Sequence, residues 1–168
     1  GTNDYAQWGQ SVVLLIIDGS VGCTGTLINN TDNDGKPYLL TASHCLNKQF
    51  TMKNPDYEKI AGSIVCFFNF NSPFCDPILR GTEEMSTAST YFKAVNEMAD
   101  MALLELTATP PVYYRPYYAG WNAQEVGPAP YTCIQHPQYS VKRISISDED
   151  LAPFTLTDPN MIFYENAH

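Results

Sequence analysis

Residues 23–45 read CTGTLINNTDNDGKPYLLTASHC, and the order of residue types along this stretch decides the fold class. Cys23 to Asn30 alternates in character and predicts a strand. The block Thr31-Asp32-Asn33-Asp34-Gly35-Lys36 is dense in turn formers, with Asp34-Gly35 marking a tight reversal. Tyr38 to Ala42 (YLLTA) is apolar and predicts a further strand running back along the first. Upstream, Ser11 to Asp18 (SVVLLIID) is a short β-branched run closed by Asp18-Gly19-Ser20, which predicts a buried strand and a turn. Three closely spaced strands joined by tight turns make an antiparallel meander.

The same stretch ends on chemistry. His44 stands just past the end of an apolar strand, beside Cys45, while Cys23 opens the neighbouring strand. If the two strands pair as a hairpin, Cys23 and Cys45 come close enough for a bridge. Such a bridge would pin the loop that holds His44. A general base needs that fixed geometry, because a misplacement of about 1 Å costs roughly a hundredfold in rate.

Outward from this centre, Ser63 to Asn71 (SIVCFFNFN), Tyr91 to Val95, Met101 to Leu106, Tyr131 to Gln135 and Lys142 to Ser147 all read as strands, and Met161 to Tyr164 begins another. The segment from His44 to Lys59 lacks clear period, and Ser72 to Tyr91 reads as a long polar surface loop. No amphipathic helix of convincing length is visible. Pro110-Pro111 marks a boundary, since proline cannot donate to a ladder, and a linker is expected near Thr107 to Tyr117. Residues 1–110 then form one block, and 111–168 form the linker and a second, smaller one.

Composition agrees with an all-β globular chain. Of 168 residues, 44% are hydrophobic and 16% charged, with eleven Tyr and eight Phe that suit a half-buried pleated surface. A formal charge of -9 argues against nucleic acid or an anionic membrane as partner, because like charges repel. No apolar run reaches the roughly 18 residues that a spanning helix needs. The five cysteines, Cys23, Cys45, Cys66, Cys75 and Cys133, include no CxxC, and only three His are present, so neither a metal nor another cofactor is expected. Their number favours an oxidising setting, secreted or periplasmic, and being odd it leaves at least one unpaired.

Cys23-x-Gly25-x-Leu27-Ile28 followed by Leu40-Thr41-Ala42-x-His44-Cys45 resembles the pattern around the catalytic histidine of trypsin-like serine proteases. Within that family the chain is most similar to bacterial lysyl endopeptidases. The likeness is carried by Asn29-Asn30-Thr31, by the strand 38–42, by Asp100-Met101-Ala102-Leu103-Leu104-Glu105-Leu106, by Ala119-Gly120-Trp121, and by His136-Pro137 with Lys142-Arg143-Ile144-Ser145. It covers most of residues 12–147. It implies a trypsin-like double β-barrel, the first barrel in 1–110 and an incomplete second barrel in 111–168, with the active site in the crevice between them.

The resemblance makes His44 the general base and Asp100 the buried carboxylate that accepts from its imidazole, in the chain order His, Asp, Ser. It implies hydrolysis of peptide bonds in a peptide or protein substrate, with cleavage after lysine. The nucleophile of this family sits in a Gly-Asp/Ser-Ser-Gly segment, and none follows Asp100. Ser140, Ser145 and Ser147 lack flanking glycines, and Ser20 precedes His44 in what reads as a hairpin turn. The serine, the oxyanion hole and the specificity pocket are therefore expected beyond His168, in a continuation of the chain or in a second chain. The fragment alone is expected to be inactive. The alternative is a protease-like barrel kept as an inactive binding or scaffold module, against which the retention of both His44 and Asp100 counts.

Other features carry blander expectations. His136 reads as structural or at the surface, and Trp121 as packed in the core. Cys75 matches a cysteine whose family partner lies near the N-terminus ahead of this chain, or it bridges to Cys66 across the 67–74 reversal. Cys133 has no assigned family partner. Asn29-Asn30-Thr31 fits a glycosylation acceptor, and reads better as a turn in a bacterial protein.

Overall fold

The computed structural model describes residues 4–72, 81, 83–122, 124 and 127–150. Strand β1, Val12–Ile17, is buried along nearly its whole length because it is paired on both sides and covered on both faces. It turns at 18–20 into β2, Val21–Ile28, with Asp18 and Gly19 both at positive φ, the handedness that matches the twist of a hairpin. On its other flank β1 pairs with β4, Val65–Phe67. Strand β2 pairs with β3, Tyr38–Thr41, so the antiparallel meander expected from residues 11–42 is present.

Three further antiparallel ladders complete a sheet of seven strands. Its order is β5–β4–β1–β2–β3–β7–β6, with β5 at Ser86–Ala88, β6 at Thr90–Asn96 and β7 at Met101–Leu106. The two edge strands, β5 and β6, are separated in sequence by Ser89 alone. That residue bends the chain at a φ of 69° and donates its N–H to the Ile64 carbonyl. Thr90 Oγ1 donates to Ala61 O at 2.9 Å and Thr107 Oγ1 to Ala88 O at 3.1 Å, tying the same corner. The sheet is therefore curled until its edges share a corner, which protects two otherwise exposed strand edges.

Alternate residues point into this curl. Val13, Leu15, Leu27, Leu39, Leu104 and Phe68 are almost wholly buried and form one apolar core. The opposite face of β1 is apolar too: Leu14 packs with Phe70 and Val141 in a second, smaller cluster. That is why the run 12–17 shows no alternation in sequence. The second cluster sits under a hairpin of β8, Tyr131–Gln135, and β9, Arg143–Ser147. His136 N–H donates to Thr24 Oγ1 at 3.0 Å, and Lys142 N–H to Phe70 O at 3.0 Å. Gly22 lies so close under the Tyr139 ring that a Cβ there would fall 1.7 Å from it. The architecture is the all-β, trypsin-like barrel with a second small sheet.

Several expectations are corrected. The polar stretch 72–91 is not loop throughout, since β5 and the start of β6 lie in it; polar strand residues at a barrel corner carry little hydrophobic period. Strand β4 is shorter than the run 63–71, because Asn69 turns the backbone at a φ of 51°. Phe68 and Phe70 are buried by packing beyond the ladder. After a short first helix, α1, Asp4–Trp8, the aperiodic segment 44–59 holds two more: α2, Ser43–Leu46, reaches into it, and α3, Tyr57–Gly62, starts within it on Asp56, whose carboxylate caps Lys59 N–H at 3.1 Å. Trp121 is 64% exposed, not packed in the core. Within 107–117, Tyr114 is buried against Phe68, and its carbonyl accepts from Asn69 Nδ2 at 2.7 Å. The predicted strand at 161–164 and Cys75 lie outside the described residues.

Candidate active site

Strand β3 ends at Thr41, and the chain folds at once into α2. Ser43, Cys45 and Leu46 are buried, so one turn of helix leaves His44 on the outer side, its side chain 31% exposed. Cys45 is disulfide-bonded to Cys23 of β2, with Cα atoms 6.3 Å apart. The bridge ties the turn that carries His44 to the middle of the sheet.

Asp100 arrives from elsewhere in the chain. Strands β6 and β7 form a hairpin, and Asp100 is the last residue of its turn, at a φ of 49°, a left-handed conformation that Asp tolerates better than most. Strand β7 then pairs with β3 in a register that sets Ala102 opposite Thr41. The end of β3 and the start of β7 therefore lie side by side, and the residues just beyond them, 43–44 and 100, must meet.

They meet through three hydrogen bonds. Asp100 Oδ2 lies 2.6 Å from His44 Nδ1, while Oδ1 accepts from His44 N–H at 2.9 Å and from Ser43 Oγ at 3.0 Å. Burial opposes ionisation of Asp100, but the His44 backbone N–H, the imidazole and the Ser43 hydroxyl together outweigh it and hold the carboxyl below its ordinary value. An ionised carboxylate can only accept, so Nδ1 carries the ring proton and Nε2 keeps its lone pair. Chemically, such an arrangement can serve as an oriented base, with a carboxylate placed where it would stabilise an imidazolium. Ser43, fully buried, was not singled out in sequence; its signal is only that a polar residue is sealed between an apolar strand and His44.

His44 also stands near Cys23 and Cys45, but two sulfurs joined in a disulfide offer no thiolate, so this trio is no ligand set. Ser140 Oγ donates to Val141 O and Ser147 Oγ to Glu149 O, while Ser20 closes the β1–β2 turn through its backbone N–H on Ile17 O. Cys66 is free and fully buried, and burial pushes its thiol up to about 12.

Residues 1–166 match the family model described as lysyl endopeptidase, C-terminal domain. The chain belongs to this family. Among curated proteins, a lysyl endopeptidase of Pseudomonas aeruginosa is 27% identical over 152 residues, 86% of this chain. The chain spans 31% of that relative's length.

This lysyl endopeptidase-type domain contains a second histidine of different character, and this one is buried. His136 is 4% exposed; its Nδ1 donates to Ser140 O at 3.0 Å, and its Nε2 is buried without a partner. Burial, with a smaller contribution from the Lys142 charge, outweighs the Ser140 carbonyl and pushes its pKa from 6.5 down to about 4. The unfolded chain therefore binds a proton near pH 6.5 that the folded chain refuses until about pH 4. Stability is fully present above pH 6.5 and falls as the pH drops through that window, by about 2 kcal/mol at pH 5. Lys142, pushed by burial from 10.5 down to about 8, is charged in both states across this range and adds no slope. Urea melts between pH 7 and 5 check this: His136→Gln is expected to flatten the slope, and an unchanged slope would assign it to another group.

Proposed function

We propose that this domain supplies the general base, His44, and its orienting carboxylate, Asp100, to a serine endopeptidase that cleaves after lysine. The observation that carries this reading is the 2.6 Å contact of Nδ1 with Oδ2, on a carboxylate that also accepts from His44 N–H and Ser43 Oγ. Such a pair has one use in acyl transfer. Nε2 takes the proton of a serine hydroxyl as it attacks the peptide carbonyl, Asp100 stabilises the imidazolium, and the proton then passes to the leaving amine. Water repeats the sequence on the acyl-enzyme.

The nucleophile is proposed to come from outside these 168 residues, because no Gly-Asp/Ser-Ser-Gly segment occurs in them. The proposed division puts the first barrel in 1–110 and the linker with part of a second barrel in 111–168. Preference for lysine is supported by the family and by the charge of -9, which favours a cationic substrate over an acidic one. A secreted or periplasmic location is supported by the Cys23–Cys45 disulfide.

The complete protein carrying this domain is expected to hydrolyse lysyl amides with kcat/KM at least about tenfold above arginyl amides and far above neutral ones. The 168-residue chain alone is expected to give no turnover. A complete protein inert towards all three amide classes would favour a binding or scaffold role.

A further inference from the structure

We infer that Glu97 is a positioning residue for the His44–Asp100 pair, acting through Asn47 and Tyr57; this rests on the role proposed above for that pair. The two segments that carry the pair, α2 and the β6–β7 turn, are joined at two points. One is the His44–Asp100 contact itself. The other lies three residues further along α2 and three residues back in the turn, where Asn47 Nδ2 donates to Glu97 Oε1 at 2.9 Å. One contact fixes a distance; two also restrain rotation of one segment against the other.

The second point is tied to the barrel through Tyr57, whose ring stacks on β6. Asn47 is 2% exposed and caps α2, its N–H bonded to Ser43 O at 3.0 Å. Its side chain is fully committed: Oδ1 accepts from Met52 N–H at 3.0 Å, and Nδ2 also reaches Met52 O at 3.3 Å. Tyr57 of α3 donates its hydroxyl to the same Glu97 Oε1, and its ring stacks on Phe92 of β6 at 5.2 Å. Glu97 thus gathers donors from α2 and α3 onto the turn. Both hydrogen bonds hold its carboxyl below the ordinary value, so it stays an acceptor.

The turn needs such a tie. Residues 97–99 are exposed, with Met98 standing free in solvent, and the turn's own ties, Asp100 N–H to Glu97 O at 3.3 Å and Ala99 N–H to Asn96 Oδ1 at 3.1 Å, do not reach α2. Asp100 itself sits in the left-handed region, where an untied turn can relax. Loss of the Glu97 side chain frees the turn to drift, and Asp100 with it.

The test uses the complete protein on a lysyl amide, with the low-field proton resonance of His44 Nδ1–H as a second readout. Glu97 is exposed, so Glu97→Ala is expected to fold normally. It should lower kcat by about tenfold with KM little changed, as expected when a catalytic group loses alignment rather than substrate contact, and it should broaden the low-field resonance. Glu97→Gln keeps a carbonyl acceptor and should recover most of both. Glu97→Ala in a Tyr57→Phe background should add less than the product of the single effects. Wild-type kcat and a sharp resonance in Glu97→Ala would overturn the inference. Failure of the base assignment shows separately, as a His44→Ala protein that still turns over, and the inference falls with it.

Discussion

His44→Ala in the complete protein is expected to lower kcat/KM on a lysyl amide by about ten-thousandfold or more, almost wholly through kcat. On the proposed role, alanine removes the group that takes the nucleophile's proton and leaves substrate binding in place. Asp100→Asn should cost about as much, roughly ten-thousandfold, for a different reason. A carboxylate can only accept, and here it accepts from Nδ1, His44 N–H and Ser43 Oγ. An amide can turn its NH2 towards Nδ1, which reverses the imidazole tautomer and puts the proton on Nε2, where the lone pair is needed. The double variant should be no worse than about the weaker single one, since the two residues act as a unit. Steady-state kinetics of the three variants decide this; retention of a tenth of wild-type kcat in either single variant would remove the pair from the mechanism. The depressed Asp100 carboxyl adds a stability consequence: its contribution is present above its ordinary value of 3.8 and is lost as the pH falls from there through the folded value.

Removal of the Cys23–Cys45 bridge is the largest stability change expected. The bridge closes a loop between residues 22 apart in sequence, which restricts the unfolded chain by about 3 kcal/mol. In a chain of this size that corresponds to a fall in Tm of about 10 °C. Cys45 is 4% exposed, so Cys45→Ala also leaves a small void beneath α2, and the paired variant Cys23→Ala/Cys45→Ala should lose slightly more than reduction alone. Because Cys45 directly follows His44, the folded variant should also show a lower kcat. Thermal melts of the oxidised, reduced and variant proteins measure the first effect, and kinetics below the melting range measure the second. Melts of oxidised and variant protein that coincide would mean that the bridge constrains neither state.

Much of the site could be read from residues 23–45 because each signal there is local. The apolar runs, the Asp34-Gly35 reversal, and a histidine and cysteine placed at a strand end all act over a few residues. The meander of β1, β2 and β3 follows from that, and so does the closeness of Cys23 and Cys45. Less local features were misread. Ser86–Ala88 is a strand because it lies on β4, not because its residues favour one. Tyr114 is buried because Phe68 and Asn69 come to meet it. Trp121 reads as a core residue in sequence, yet it is mostly exposed. Helix α3 escaped notice because one and a half turns carry too little period, although Asp56 stood at its start as a cap.

The amino-acid order alone determined the all-β class, the first three strands and the residue types offered for catalysis, since these depend on periodicity and turn chemistry over short spans. The tertiary structure decided everything that depends on register between distant segments. Setting Ala102 opposite Thr41 is what carries Asp100 to His44, seals Ser43 beneath them as a third donor, and brings Glu97 within reach of Asn47. A strand shifted by one residue would turn every side chain to the other face. No local pattern encodes that choice; it is set by which apolar faces fill the curled sheet together.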